Sequence, residues 1–155
     1  MAIRFAGLPT QAVRALQHGG RDAYGNAPEQ RISDGDGTPC RHCLKKVAKG
    51  EPYLVLAYRP FQSLQPYAET GPIFLHANNC ESATQDSQLP EILSSSEYIV
   101  RGYDEDERII YGTGSIVPTA DVIARAEEIF TDEHASFVHV RSARNNCFQC
   151  RIDRD

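Results

Sequence analysis

The feature that most constrains the fold is the alternation of polar and apolar residues near the carboxyl end of the chain. Residues 136–142 and 147–153 both have the alternation typical of β-strands, and the residues between them are small or polar. The pattern predicts an antiparallel hairpin. Because a slip of one residue moves every side chain to the other face, the need to bury the apolar side chains selects the register.

Two registers are possible for this hairpin, and only one separates polar from apolar side chains. A two-residue turn at Asn145 and Asn146 would mix both kinds on each face. A three-residue loop pairs Ala143 with Cys147 and predicts a positive φ at Asn146. One face then carries Val138, Val140, Phe148, Cys150 and Ile152. The other face carries His139, Arg141, Cys147, Gln149 and Arg151.

The polar face of the hairpin has two interpretations. With Arg41 added from elsewhere in the chain, it could bind a phosphate or a carboxylate, and nearby positive charge would activate the Cys147 thiol. The candidate ligand-binding residues are Arg41, His139, Arg141 and Cys147. The alternative is a strand face that simply meets solvent. Cys147 and Cys150 point to opposite sides in this register, which predicts neither a metal knuckle nor a redox pair.

A second constellation has the spacing of a metal site. Cys40 and Cys43 are separated by two residues, and His76 precedes Cys80 by four positions. Three sulfurs and one imidazole nitrogen are a standard ligand set for a closed structural zinc site. If residues 54–58 and 72–76 run antiparallel, the chain leaves the first pair and returns near it. The spacing is similar to that of treble-clef zinc modules.

Other interpretations of these residues remain open at the level of sequence. The cysteines could be buried thiols without a ligand, and His76 could be a core histidine. Cys40 could also be a nucleophile with His42 or His76 as its base. Zinc is the predicted cofactor, and inert burial and thiol catalysis are its alternatives.

The remaining elements are predicted from periodicity and from residues typical of helix ends. Strands are expected at residues 3–8, 52–58 and 72–76, and a hairpin is expected from strands 98–103 and 108–112 around the acidic run 104–107. One helix is predicted after Thr10 as N-cap, with Val13 and Leu16 buried and Gly19 beyond its end. Another is predicted after Thr119 as N-cap. Its apolar stripe would be Val122, Ala126, Ile129 and Phe130.

This order of elements predicts an α+β fold in a single domain covering residues 1–155. The sheet is expected to be mainly antiparallel, with about six short strands and two helices. Residues 19–39, rich in Gly and Asp, are expected to form a long loop that could be mobile. A length of 155 residues with 41% hydrophobic and 24% charged residues is that of one ordinary globular domain.

Charge and composition argue against some classes of partner. The net charge of −5 and the lack of Trp disfavour nucleic acid as a ligand. No apolar stretch approaches the ~20 residues that a membrane helix requires, and the amino terminus does not resemble a secretion signal. Five cysteines without such a signal favour the reducing cytoplasm.

Several segments of the chain resemble a known family. They are residues 39–44, 50–51, 66–67, 71–76, 101–104, 138–141 and 146–148. They look like the Domain of Unknown Function 1203 family, and residues 71–74 with Pro39, Cys40 and Arg41 upstream are the most specific part. The resemblance covers nearly the whole chain and implies a stand-alone bacterial protein. It implies no activity and no catalytic residue.

The sequence therefore supports two functional hypotheses. In the first, zinc at Cys40, Cys43, His76 and Cys80 stabilises a small cytoplasmic domain that serves binding or regulation. Its partner would be an unknown protein or a small anionic ligand. In the second, the chain is an enzyme or small-ligand binder that uses the Arg, His and Cys face for an anionic substrate.

Overall fold

The computed structural model describes residues 2–155, in which eight strands and two α-helices follow one another along the chain. The strands are β1 (Ile3–Ala6), β2 (Glu29–Ile32), β3 (Pro52–Tyr58), β4 (Gly71–His76), β5 (Glu97–Tyr103), β6 (Ser115–Pro118), β7 (Phe137–Ser142) and β8 (Phe148–Arg154). The helices are α1 (Thr10–Gln17) and α2 (Val122–Ile129), and a 3-10 turn at Thr119–Asp121 precedes α2. In this part of the chain, neither helix combines the length and hydropathy needed to cross a bilayer.

All strand pairs are antiparallel, and they form two sheets. The larger sheet has the order β1-β8-β7-β5-β6, and the smaller one has the order β2-β3-β4. The predicted α+β class with mainly antiparallel strands is confirmed. The strands number eight rather than about six, and they are divided between two sheets.

Helix α2 covers one face of the larger sheet. Its apolar stripe is fully buried against the apolar side chains of β7 and β8, as the sequence predicts. The predicted N-cap at Thr119 is wrong, because the chain first makes a 3-10 turn and the cap position falls on Asp121. The Thr119 hydroxyl instead donates to the carbonyl oxygen of Ser95.

Helix α1 packs on the smaller sheet. Val13 and Leu16 are buried in the second core together with apolar side chains of β3 and β4, as predicted. Gly19 lies past the helix end with φ of 98°. The N-cap is Pro9 rather than Thr10, and the Thr10 side chain makes a different contact that bears on the candidate site.

The closing hairpin has the predicted register over most of its length. Val138 pairs with Ile152 and Val140 with Cys150, and Asn146 has φ of 56°. A bulge near the loop then shifts the pairing, so that Arg141 lies opposite Phe148. The prediction that Phe148 shares the face of Val138 and Val140 is therefore wrong. The extra residue turns its ring to the side of His139 and into the second core.

The centre of the polar face of this hairpin is buried, at His139, Arg141 and Gln149, so its interpretation as a solvent-facing surface is wrong. His139 is 1% exposed and Arg141 is 3% exposed. The ring of His139 lies among those of Phe61, Tyr103 and Phe137, with centroid distances of 4.9 to 5.2 Å. Both faces of the larger sheet are thus covered at this point.

Two segments differ from the sequence-based expectations. Residues 108–112 form no strand, since Ile109 makes only an isolated bridge with Tyr103 and the chain then turns at Gly112, where φ is 93°. The strand that pairs with β5 is β6 instead. Within residues 19–39, the chain contains β2, whose four side chains are all exposed and so have no hydrophobic period.

Candidate metal centre

A tight hairpin around residues 39–46 brings Cys40 and Cys43 together. Pro39 pairs with Lys46, the N–H of Cys40 donates to the carbonyl of Lys45 at 2.9 Å, and the N–H of Leu44 donates to the carbonyl of Cys40 at 3.0 Å. Leu44 has φ of 56°, a left-handed conformation that few non-glycine residues adopt. We call residues 39–46 the knuckle.

The knuckle is attached to the edge of β4. Cys40 forms a bridge with Phe74, and the N–H of Arg41 donates to the carbonyl of Phe74 at 3.0 Å. His76 ends the same strand, and its N–H lies 3.4 Å from the Cys40 sulfur. Since β3 and β4 are antiparallel, the chain returns to the knuckle as the sequence predicts.

The side chains of Cys40, Cys43, His76 and Cys80 converge at this junction. Their ligand atoms all lie within 4.8 Å of one another. The sulfurs of Cys40 and Cys80 are 3.9 Å apart, and the Cys43 sulfur is 3.5 Å from Nδ1 of His76. A tetrahedral zinc ion with ordinary bond lengths requires about 3.8 Å between sulfurs and about 3.6 Å between sulfur and nitrogen. These two distances match that requirement, and all the ligand atoms lie close enough together to surround one zinc ion.

Hydrogen bonds within the cluster shift the pKa values of its members in opposite directions. Hydrogen bonds from Cys43 and Cys80 hold the pKa of the Cys40 thiol far below its usual range. The same contacts raise the pKa of Cys43, and hydrogen bonds to Cys40 and Cys80 raise the pKa of His76 to about 10. A metal ion that bound here would have to displace the protons of Cys43 and His76, because metal ligands are deprotonated.

A buried histidine next to the cluster contacts one of the sulfurs. Nδ1 of His42 lies 3.0 Å from the Cys80 sulfur, and Nε2 lies 2.8 Å from the Thr10 hydroxyl. The side chain is fully buried, and burial lowers the pKa of His42 below its ordinary value. A neutral ring in this position can donate one hydrogen bond to a thiolate while it accepts one from Thr10.

Helix α1 also holds the loop that carries the last ligands. Arg14 donates to the carbonyl of Cys80 at 2.5 Å, and Gln17 donates to the carbonyls of His76 and Asn78 at 2.8 and 2.9 Å. Local sequence patterns do not predict these contacts. The only signal was the spacing of Thr10, Arg14 and Gln17, which places three polar side chains on one side of a helix.

A close approach between β1 and the knuckle requires a glycine. A Cβ at Gly7 would lie 2.2 Å from the carbonyl oxygen of His42. The neighbouring N–H of Leu8 donates to the carbonyl of Arg41 at 2.9 Å. The knuckle is therefore in direct backbone contact with the larger sheet's edge segment as well as with β4.

The four candidate ligand-binding residues do not share one pocket. Arg41 is buried, with Nε donating to the carbonyl of Phe148 at 2.7 Å, and burial lowers its pKa to about 10. Arg141 and Cys147 line a cavity of about 200 Å³. His139 lines a different cavity of about 460 Å³. Cys150 is buried in the core, where desolvation raises its pKa to about 12.

Comparison with known proteins identifies the family. No curated protein and no solved structure matches the chain. One family model, described as "Protein of unknown function (DUF1203)", matches residues 37–154. The match includes all four residues of the metal cluster, and it covers well over half of the chain. The chain therefore belongs to the DUF1203 family.

Proposed function

We propose that this protein binds one structural zinc ion through Cys40, Cys43, His76 and Cys80. The observation that carries the proposal is the convergence of their four ligand atoms within 4.8 Å of one another. The ligands come from three separate segments, namely the knuckle, the end of β4 and the loop after it. Such a convergence in a reduced chain is typical of a metal site.

The character of the ligands favours zinc in a structural role. Three sulfurs and one imidazole nitrogen at tetrahedral distances suit zinc better than the hard cations, which prefer oxygen. Four protein ligands leave no open position for water or substrate. Cys40 is fully buried, and His42 and Arg14 support the ligands from outside the cluster.

Zinc at this position would fix the knuckle to the end of β4 and to the loop that follows it. The proposed wider role is binding or regulation, with an unknown protein or a small anionic ligand as partner, and nucleic acid is disfavoured by the net charge of −5. All five cysteines are free, which supports the reducing cytoplasm as the proposed location.

One contact supports thiol chemistry as a second candidate. Cys80, His42 and Thr10 form a chain of thiol, imidazole and hydroxyl with distances of 3.0 and 2.8 Å. This is the order of nucleophile, base and orienting group found in cysteine catalysis. The same contact is equally suited to stabilise a metal-bound thiolate, and the neighbouring ligands favour that role.

Substitution of zinc by cobalt(II) tests the proposal through the ligands themselves. Tetrahedral cobalt with thiolate ligands absorbs visible light, and the bands report both geometry and sulfur coordination. We expect these bands in the full-length protein and their loss or strong change in Cys43→Ser and His76→Ala. Cys147→Ser is the matched control, since Cys147 lies outside the cluster, and it should keep the spectrum.

The result that contradicts the zinc proposal is a cobalt spectrum that is octahedral, or one that Cys43→Ser leaves unchanged. The second candidate makes a different prediction about alkylation by iodoacetamide. A catalytic Cys80 would react rapidly in the protein as purified. A zinc-bound Cys80 would react slowly until a chelator removes the metal.

A further inference from the structure

A cleft separate from the metal cluster lies where the two sheets meet. It has a volume of about 460 Å³ and is lined by residues from the turn between β1 and α1, from the segment after β3, and from β7 and β8. Cavities of this size are typical of sites for small organic ligands. None of the four cluster residues lines it.

One wall of the cleft contains a buried histidine without a partner. His139 is 1% exposed, its Nδ1 is shielded from solvent, and no group in residues 2–155 forms a hydrogen bond with it. Burial, then the charges of Arg141, Arg151 and Arg101, lower the pKa of His139 well below its usual value. A buried polar group without a partner costs free energy, and a ligand that supplied the missing hydrogen bond would remove that cost.

The cleft lining includes two arginines, Arg59 and Arg151, and two acids, Glu107 and Asp153. Arg59 lines the cleft, its Nε is buried without a hydrogen-bond partner, and none of the ion pairs among residues 2–155 includes it. Arg151 also lines the cleft and is paired with Asp153 at 2.7 Å. Glu107, the other acid in the lining, accepts the N–H of Gln62.

The amino-terminal end of α1 reaches the same cleft. Pro9 and Thr10 line it, and this eight-residue helix has no side-chain cap and no acidic residue in its first turn. The N–H groups of Thr10, Gln11 and Ala12 have no acceptor in the described part of the chain. Free N–H groups at a helix start favour a bound anion.

We propose that this cleft binds a small organic anion. Its acidic group, a carboxylate or a phosphate monoester, would lie against Arg59 and the first turn of α1. Its apolar part would contact the rings of Phe61 and Phe148, which line the same cavity. The proposal does not depend on zinc, because no cluster residue lines the cleft, and of the four candidate ligand-binding residues it retains only His139.

Titration of the ¹⁵N-labelled, zinc-loaded protein with benzoate and with phenyl phosphate tests this proposal. We expect saturable shifts of the backbone amides of Thr10 to Ala12 and of the His139 ring nitrogens, with one or both probes. Arg59→Gln should weaken binding about tenfold or more, because it removes a charge-assisted contact. Arg31→Gln is the control, since Arg31 is exposed on β2 and paired with Glu29, and it should bind as the original protein does.

The amide spectrum of Arg59→Gln shows whether this variant is folded, and Arg59→Met, which also removes the charge but keeps an unbranched side chain, replaces it if it is not. Saturation by benzoate alone or by phenyl phosphate alone identifies the acidic group. The absence of saturable shifts with both probes up to about 10 mM would overturn the proposal. Undiminished binding in the folded Arg59 variant would do so too. Inorganic phosphate that binds as tightly as phenyl phosphate would exclude the apolar contact.

Discussion

The Nδ1 atom of His42 lies 3.0 Å from the sulfur of Cys80, although the two residues are 38 positions apart in the sequence. The other ring nitrogen of His42 is 2.8 Å from the Thr10 hydroxyl, which fixes the ring on both sides. When Thr10 donates its proton, His42 carries its own proton on Nδ1 and directs it at Cys80. A residue that is not a ligand thereby supports one of the four ligands.

Replacement of His42 by Phe should weaken zinc binding about 10- to 100-fold. The substitution removes the hydrogen bond to Cys80 but leaves all four ligands, and outer hydrogen bonds to metal ligands have effects of this size. Competition with a chromogenic chelator measures the affinity. His134→Phe, at an exposed position away from the cluster, is the control. Equal affinity in the His42 and His134 variants would show that the contact contributes nothing to metal binding.

Replacement of Gly7 by Ala should destabilise the protein by roughly 1–3 kcal/mol, as overpacking of a close contact does. The new methyl group would lie 2.2 Å from the His42 carbonyl oxygen and force the knuckle away from the end of β1. Urea denaturation measures the loss. Gly37→Ala is the matched control, because nothing lies within 4 Å of a Cβ at that position. A Gly7 variant as stable as the Gly37 variant would contradict the close approach.

The buried His139 should make stability fall as the pH drops below about 6.5, the ordinary pKa of an unfolded histidine. Its pKa in the folded protein is lowered, so below that pH the unfolded chain binds a proton that the folded chain does not. The expected slope is at most ~1.4 kcal/mol per pH unit. His139→Phe should remove this part of the slope between pH 7 and 5.5.

Comparison of the two denaturation series isolates the contribution of His139, because the zinc ligands titrate in both proteins. The difference in unfolding free energy between pH 7 and 5.5 should be smaller in His139→Phe than in the original chain. Identical differences in the two proteins would mean that His139 takes up a proton in the folded state.

Removal of zinc should loosen the knuckle while leaving the larger sheet in place. The core between α2 and the larger sheet contains none of the cluster residues, and a chain of 155 residues buries enough surface to fold without metal. Hydrogen exchange with and without chelator measures the effect. The amides of Cys40 and Leu44 should exchange faster after chelation, and those of Val138 and Val140 should not. Uniform loss of protection would instead show that folding requires the metal.

The parts of the fold and site that the sequence predicts are those set by local patterns. The spacing of Cys40 and Cys43 predicts the knuckle. Because β3 and β4 are antiparallel, the chain returns to the knuckle at His76. The register at Val138 and Val140 follows from the need to bury one face of the hairpin. These inferences need only periodicity and the geometry of strands.

The parts that the sequence did not predict depend on contacts between distant segments or on small backbone irregularities. One bulge turned Phe148 to the other face. All four residues of β2 are exposed, so this strand needs no alternation of apolar side chains by which the sequence could reveal it. The strand that pairs with β5 begins only at Ser115, after a turn at Gly112 that the sequence pattern did not reveal. The contact of Thr10 with His42 joins segments that no local pattern connects.

Native mass spectrometry of the protein, purified without a histidine tag or chelator, tests the central claim most directly. We expect one zinc ion per chain, lost on acidification and absent from Cys43→Ser and His76→Ala, while Cys147→Ser retains it. A metal-free chain in which all five thiols titrate as free and which takes up no zinc when the ion is supplied would contradict the claim.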